Sequence, residues 1–415
     1  MNKFMQKYWG LFILAWGGTF VYRTPYMRYL MYDPLKEALN VSHTEFGNMM
    51  SVFGLVAMIS YWPGGWLADR IRPRYLLCFS YLVTGLLGIY FATFPSYAMC
   101  IAVHAAWGVS TTLTFWAAML RATKDMAPKE EVGRFYGYLE SGRGILTLVA
   151  VNICALVFAL YDDPTRGMSA VLNIVNAACL LGIPLTWFFF KDPVELTPNP
   201  SLTKDIIEVI KSPWIWCVAL IVFSCYSAMV FGGYLTPYMT SVVGVSAATV
   251  TSLSGFWIYG SQFLAPPISG IISDKISSRP KILVVLFGYL LAVLILVIVI
   301  PPSPAIWLVM VLVSASIYVG IYAIRGVYFA VLEDLRVPSS IVGAAIGFAS
   351  LIGFAPDAFV YTIAGKILDA NPGEAGYKIC FTIAAVLCVI GIVASLLILR
   401  RAQAIKRQEA AAKSA

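Results

Sequence analysis

The chain has 415 residues, 60% of them hydrophobic and only 12% charged, with a mean hydropathy of +0.80. This balance excludes an ordinary soluble globular protein, and about a dozen 20-residue membrane spans would fill the length with no room for a sizeable soluble domain. The formal net charge of +8 is spread as a membrane-orientation signal and not as a basic patch, which excludes nucleic acid as a partner.

In chain order, Met1 to Lys7 runs into a long apolar segment without a small-residue cleavage site, which reads as a retained first span. Twelve spans are expected: Tyr8–Leu30, Thr44–Ala68, Tyr75–Phe94, Tyr97–Ala122, Gly133–Leu160, Ser169–Phe190, Trp214–Tyr238, Ala247–Ile272, Ile282–Ile300, Ala305–Leu332, Ile341–Gly365 and Tyr377–Leu399. The fold class is therefore an all-α membrane protein, surrounded by the lipid bilayer. Ser42-His43-Thr44-Glu45 reads as a capping box for the second span, and Ser246 as the N-cap of the eighth. The 8 cysteines lie inside apolar stretches without a CxxC pair, and the chain has only 2 histidines, so neither disulfides, a metal site nor a cofactor is expected.

With the N-terminus in the cytoplasm, 21 of the 29 lysines and arginines fall in cytoplasmic segments and 5 (Arg28, Lys36, Arg166, Lys366 and Lys378) in outer ones. This positive-inside bias places both termini in the cytoplasm. Asp192–Pro213 is the longest polar interruption, a cytoplasmic linker with one amphipathic turn at Ile206, Ile207 and Ile210. It divides the chain into a first six-helix bundle (1–191), a linker (192–213), a second bundle (214–400) and a tail (401–415).

The halves repeat. Gly65-Trp66-Leu67-Ala68-Asp69-Arg70-Ile71-Arg72-Pro73-Arg74 returns as Gly270-Ile271-Ile272-Ser273-Asp274-Lys275-Ile276-Ser277-Ser278-Arg279. Thr24-Pro25-Tyr26-Met27 returns as Thr236-Pro237-Tyr238-Met239, Val41-Ser42 as Val245-Ser246, and Gly133-x-x-x-Gly137 as Gly343-x-x-x-Gly347. The same order at near-constant offset marks an internal duplication of two pseudo-symmetric halves.

With six spans on each side of a cytoplasmic linker and this doubled charged loop, the chain resembles the major facilitator superfamily over essentially its whole length. Gly65, Asp69, Arg70 and Arg74 match that family's loop motif, while Arg72 stands where the family usually has Gly. The resemblance implies that Asp69 pairs with bases at neighbouring cytoplasmic helix ends, such as Arg134, and latches the outward-facing state. Gly270, Asp274, Lys275 and Arg279 would form its counterpart. Phe20-Val21-Tyr22-Arg23 is similar to the organophosphate:phosphate antiporters and related anion symporters. Those antiporters also carry an arginine in the seventh span, where Phe223-Ser224-Cys225-Tyr226 has none. Glu140-Ser141-Gly142-Arg143-Gly144 and Arg325-Gly326-Val327-Tyr328-Phe329 resemble bacterial carriers linked to sulfosugar breakdown.

Three bases lie well inside spans, Arg23, Arg143 and Arg325, against two acids, Glu140 and Asp357. A lone arginine at the bilayer centre costs about 2.5–3.5 kcal/mol on insertion scales, so it persists where it faces a wet cavity or a partner. Each charge shares a helix stripe with polar or aromatic residues: Thr19-Arg23-Tyr26, Tyr136-Glu140-Arg143-Thr147, Tyr318-Tyr322-Arg325 and Ser350-Gly353-Asp357. A planar guanidinium suits carboxylate, sulfonate or phosphate. The expected substrate site is Arg23, Tyr26, Glu140, Arg143, Tyr322 and Arg325. Arg23 and Arg325 are expected on opposing halves, because the family lines its cavity with the first, fourth, seventh and tenth helices.

The expected function is alternating-access transport of a small organic anion by a monomer in the bacterial inner membrane. Protons or a counter-anion are the coupling partner, with Glu140 and Asp357 as coupling candidates. Two local readings stand beside this one: Glu140 and Arg143 neutralise each other, and His104 is a core histidine. Two other functions remain open at this point: an exporter of amphipathic compounds and a non-transporting membrane sensor. An enzyme is disfavoured, since no Ser/His/Asp set, metal cluster or phosphate-binding Gly loop appears.

Overall fold

The computed structural model describes residues 3–68, 70–126, 132–192, 209–276 and 278–414, and their regular elements are all helices. Among them, beside shorter helices at Tyr32–Leu39 and Val331–Asp334, twelve long helical stretches succeed one another. We label these α1 (Lys3–Arg23), α2 (His43–Ala68), α3 (Pro73–Phe91), α4 (97–126), α5 (Val132–Ala159), α6 (Pro164–Phe189), α7 (Pro213–Gly232, continued by Leu235–Ser241), α8 (247–276), α9 (Arg279–Val299), α10 (Trp307–Val327), α11 (Ser339–Gly353 and Val360–Ala370) and α12 (Glu374–Ser414).

Two ends differ from the sequence expectation for local reasons. The first helix stops at Arg23, short of Leu30, because Pro25 has no N–H to donate and biases Thr24 away from helical geometry. A 3-10 turn, Met27–Tyr29, follows and turns Arg28 inward, so this base is buried instead of lying at the surface. The last helix runs on to Ser414, past Leu399, since Arg400–Ser414 holds neither Gly nor Pro and is rich in strong helix formers.

The described residues fall into two compact units. The first comprises Met1–Asn199 with Thr236–Gly260 and Asp357–Asp369; the second comprises Pro200–Leu235, Ser261–Pro356 and Ala370–Ala415. In the first unit α1 packs on α5 and α6, α3 on α6, α2 on α4, and the first part of α8 on α5. Its core holds Tyr81, Trp107 and Phe115, all fully buried. In the second unit α12 packs on both α7 and α9, the later part of α8 on α10, and α7 on the first part of α11.

Within the first unit, the start of α2 is tied to the end of α11. The Asp369 carboxylate accepts from the backbone N–H groups of His43 (3.0 Å) and Thr44 (2.7 Å). Ser42 and Glu45 cap each other reciprocally, as the sequence implied, with Glu45 N–H donating to Ser42 Oγ (3.1 Å) and Ser42 N–H to Glu45 Oε2 (2.9 Å). Orphan N–H groups of α2 thus meet anionic acceptors at the positive end of its dipole. The helices approach closely here because α2 carries Gly47, where a methyl group would collide with the Tyr361 carbonyl oxygen.

His43 closes this joint. Its Nε2 lies 3.2 Å from Lys36 Nζ, which only donates, so Nε2 accepts and Nδ1–H faces the Tyr32 hydroxyl at 2.8 Å. Burial first, then Lys36, pushes the imidazole pKa down to about 4, with Asp369 opposing and Arg28 adding to the shift. His104, by contrast, is a core histidine, with Nδ1 2.8 Å from the Cys100 carbonyl and its ring against Phe91 and Trp107.

Two predictions follow from this joint. Gly47→Ala is expected to cost about 1–3 kcal/mol through overpacking and to lower the thermal midpoint of detergent-purified protein. Gly288→Ala, where nothing lies within 4 Å, should leave the midpoint unchanged. A base with a lowered folded-state pKa withholds a proton that the unfolded chain accepts, so its contribution is intact above about pH 6.5 and is lost on acidification toward about 4. The wild-type minus His43→Gln difference in midpoint should therefore fall across that window and be flat above it.

Candidate functional site

Arg23, the last residue of α1, is buried. Its Nη1 donates to the Tyr259 hydroxyl (2.6 Å) and its Nη2 to Thr147 Oγ1 (3.1 Å), while the buried Nε meets no acceptor. No carboxylate of the described residues lies within ion-pair distance of it. A buried guanidinium held only by neutral hydroxyls keeps its full charge in a poorly solvating environment and gains from an anion beside it.

One turn before Thr147 on α5 lies Arg143. Its Nη1 meets Glu140 Oε1 at 2.5 Å, its Nε donates to the Gly18 carbonyl (3.2 Å), and Nη2 donates to no described residue. Glu140 and Arg143 therefore form an ion pair, with the Glu140 side chain 44% exposed and that of Arg143 16%. Gly18 leaves room here: a Cβ would fall 2.6 Å from Arg143 Nε, so that side chain would have to shift. Thr19 Oγ1 donates to the Arg143 carbonyl (3.2 Å), tying the stripe of α1 to that of α5.

Each guanidinium also meets an aromatic ring set by a π-helical insertion. Within α4 the stretch Val109–Trp116 is π-helical, and Trp116 lies 5.5 Å from the Arg143 guanidinium carbon. Within α8 the π-helical stretch Phe256–Gly260 carries Tyr259, whose ring centroid is 5.0 Å from that of Arg23. An extra residue per turn shifts the helix register and re-aims the side chains that follow, a device frequent at functional sites.

Beside this cluster lies a second set of charges. α11 breaks between Gly353 and Val360, with Ala355–Ala358 forming a 3-10 turn that carries Asp357. Asp357 accepts from the Tyr361 hydroxyl at 3.1 Å and from Tyr26 at a long 3.4 Å, and Tyr361 and Tyr29 share a hydrogen bond of 2.5 Å. Arg28 donates to the Phe46 carbonyl (3.1 Å), with the rings of Tyr361, Phe46 and Tyr32 at 4.7, 4.8 and 5.2 Å.

In the second unit Arg325 Nη1 contacts Met229 Sδ at 3.1 Å, a weak acceptor, and the Tyr322 ring lies 5.4 Å away. No carboxylate of the described residues pairs with Arg325. The Tyr322 hydroxyl reaches Gln262 Oε1 at 3.4 Å. Of the six expected substrate residues, Arg23, Tyr26, Glu140 and Arg143 thus belong to the first unit, and Tyr322 and Arg325 to the second.

At the charged loops, Gly65 and Gly270 lie in α2 and α8, and Arg70 in the turn after α2. Asp69 is outside the described residues, as are the side chains of Arg134 and Asp274, so the expected Asp69–Arg134 latch falls outside them too. Arg74 pairs with Asp192 (3.4 Å) and donates to the Phe190 carbonyl, joining α3 to the end of α6. Lys275 is exposed at the end of α8. Arg279 meets Glu333 (2.8 Å) and Asp334 (3.5 Å), and Arg336 forks onto Glu409 of α12 (2.9 and 3.1 Å). Arg279, Glu333, Asp334 and Arg336 line a cavity of about 340 Å³ with Ser273, Ile405 and Lys406.

Tyr259 and Trp116 were absent from the sequence expectation, and Arg28 was counted there among the outer bases. Thr147 stood on the Arg143 stripe and was legible there; the π-helical registers of Trp116 and Tyr259 left no spacing signal.

The family model described as Major Facilitator Superfamily matches residues 10–361. The chain is 30% identical to inner membrane protein YihN of Escherichia coli (strain K12), over 99% of each chain. It is 22% identical to probable anion transporter 6 of Oryza sativa subsp. japonica, over 82% of this chain and 83% of that one. Among solved structures, a bacterial homolog of the human lysosomal transporter Spinster, in an inward-facing and occupied conformation, aligns with a TM-score of 0.76 at 16% identity, over 97% of this chain and 98% of that one.

Removing the Tyr259 hydroxyl should leave Arg23 with Thr147 alone. A hydrogen bond to a charged group is worth about 1.5–3 kcal/mol, so Tyr259→Phe is expected to lower the thermal midpoint of the ligand-free protein by a few degrees, while Tyr289→Phe, on an exposed hydroxyl, should not.

Proposed function

The chain belongs to the Major Facilitator Superfamily, a family of secondary transporters, and from that premise we propose that its cargo is a small organic anion of the carboxylate, sulfonate or sugar-acid type. One observation carries this reading: Arg23 is buried with no carboxylate of the described residues beside it, held by two neutral hydroxyls and with Nε unmet. An anion supplies what that guanidinium lacks, and its planar fork matches carboxylate or sulfonate geometry. Arg143, one turn from Thr147 on the same helix, adds a second guanidinium whose Nη2 donates to no described residue. Arg325 in the second unit meets Met229 Sδ and the Tyr322 ring and pairs with no carboxylate of the described residues, so it too is cast as an anion-binding group, with Tyr322.

Within the family this reading favours the organic-anion carriers. Support comes from the Phe20–Arg23, Glu140–Gly144 and Arg325–Phe329 motifs and from the likeness to a probable anion transporter of rice. The bundles 1–191 and 214–400 are taken as the elements whose rearrangement alternates access. The charged loops containing Asp69 and Asp274 are their latches. Exchange for a counter-anion, or proton symport through Glu140 or Asp357, supplies the drive. The charge bias places both termini in the cytoplasm, and the likeness to an inner membrane protein supports a bacterial inner-membrane location.

A thermal-shift screen of purified protein against organic acids, sulfonates and sugar phosphates identifies the ligand, since binding to the folded state raises the midpoint with occupancy. In proteoliposomes, Arg23→Ala should then abolish uptake of that anion while expression persists, and Arg23→Lys, which keeps charge but not the fork, should retain a small fraction. Wild-type uptake by Arg23→Ala would overturn the reading.

A further inference from the structure

We propose that the Tyr259 hydroxyl competes with the cargo for Arg23: it closes one edge of the guanidinium, yields when an anion binds, and returns to help expel it. This inference rests on the anion-binding role given to Arg23 above.

Both gripping edges of Arg23 are closed. A guanidinium holds two oxygens either end-on, through Nη1 and Nη2, or side-on, through Nε and Nη2. The end-on pair is taken, Nη1 by the Tyr259 hydroxyl at 2.6 Å and Nη2 by Thr147 Oγ1 at 3.1 Å. On the side-on pair Nε meets no acceptor but is itself buried, and Arg23 as a whole is only 4% exposed. A charge so enclosed gains from an anion, yet an anion reaches it only where a neighbour gives way.

The two neighbours differ in how firmly they are held. Thr147 lies in the middle of α5 and is buried. Tyr259 is part-exposed, so its hydroxyl can exchange Arg23 for water. Among the described residues that hydroxyl makes no other hydrogen bond. It also sits on the π-helical stretch Phe256–Gly260, which packs on α5. A π-helical turn holds more residues than an α-helical one, so a return of this stretch to α-helical register turns the ring off Arg23. There is space at its end, where a Cβ on Gly260 would meet nothing within 4 Å.

The competition also sets a threshold. A neutral solute offers Arg23 no better acceptor than the hydroxyl already there, and does not displace it. A carboxylate or sulfonate does, since a hydrogen bond between two ionised groups is roughly twice as strong as a neutral one. On release the tyrosine takes back Nη1, so the departing anion does not leave the guanidinium without an acceptor on that edge.

The test uses full-length protein in detergent, with gluconate, glycerate and isethionate as probes and affinities read by calorimetry. Tyr259→Phe keeps the ring and removes the competitor, so it should bind at least one probe about ten-fold more tightly than wild type. Thr147→Val removes the hydroxyl that stays in place and should not tighten binding. In proteoliposomes Tyr259→Phe should show a lower KM for that probe together with a lower kcat, because release has lost its competitor. With 3-fluorotyrosine at position 259, saturating probe should move the fluorine resonance toward its position in Arg23→Ala protein, where the hydroxyl has no guanidinium to meet. Equal or weaker binding of every probe by Tyr259→Phe, an unmoved resonance at saturation, or equal tightening by Thr147→Val overturns the competition while leaving the anion site intact. Arg23→Ala separates the two claims: probe binding at wild-type strength in that variant overturns the anion site itself. If no probe binds either wild type or Tyr259→Phe, the competition falls as well.

Discussion

The arrangement turns on a buried guanidinium that meets no counter-charge among the described residues. Arg23 ends α1, where Pro25 stops the helix, and its neighbours supply hydroxyls instead of a carboxylate. Removing a charge from water is costly, and two neutral acceptors repay only part of that cost. A structural arginine would sit opposite an acid, as Arg279 sits opposite Glu333 and Arg74 opposite Asp192. Among the described residues Arg23 does not, and that difference is the ground on which it is proposed as a binding group.

The packing around Arg23 follows from the same demand. Gly18 lets α1 approach α5 closely enough for the Gly18 carbonyl to take Arg143 Nε, and Thr19 ties back to the Arg143 carbonyl. The π-helical stretches of α4 and α8 carry Trp116 and Tyr259 to the two guanidinium groups. A regular α-helix would turn both rings elsewhere, so the π-helical register is what brings two aromatic neighbours to two charges. The ion pair of Glu140 with Arg143 fits this economy: it removes one charge from the cluster and leaves the other available.

A different logic governs the joint between α2 and the end of α11. There the partners are a helix N-terminus and a carboxylate, with a neutral histidine between a lysine and a tyrosine. These contacts depend on protonation and on a close glycine approach, not on bulk apolar burial. Bonds of this kind can open without exposing a large hydrophobic surface, which suits helices that change neighbours during a transport cycle.

Much of the architecture was determined by the sequence alone, because lipid imposes one rule: every backbone group must be satisfied within its own segment. Hydropathy therefore located the helices, and the doubled loop exposed the duplication. The capping box at Ser42 and the N-cap at Ser246 were legible because a cap is settled within four residues. Burial of Arg23 was legible because a charge inside an apolar run has few places to go, whereas Arg143 and Arg325 are only part-buried. Tertiary structure alone decided who meets whom. Tyr259 reaches Arg23 across 236 positions, and Tyr26 reaches Asp357 across 331. Arg28 counted as a surface base until a 3-10 turn drew it among aromatic rings. A pairing across hundreds of residues, or a register shifted by one π-turn, leaves no mark on local periodicity, since it depends on the distances that folding sets and not on the order of residues.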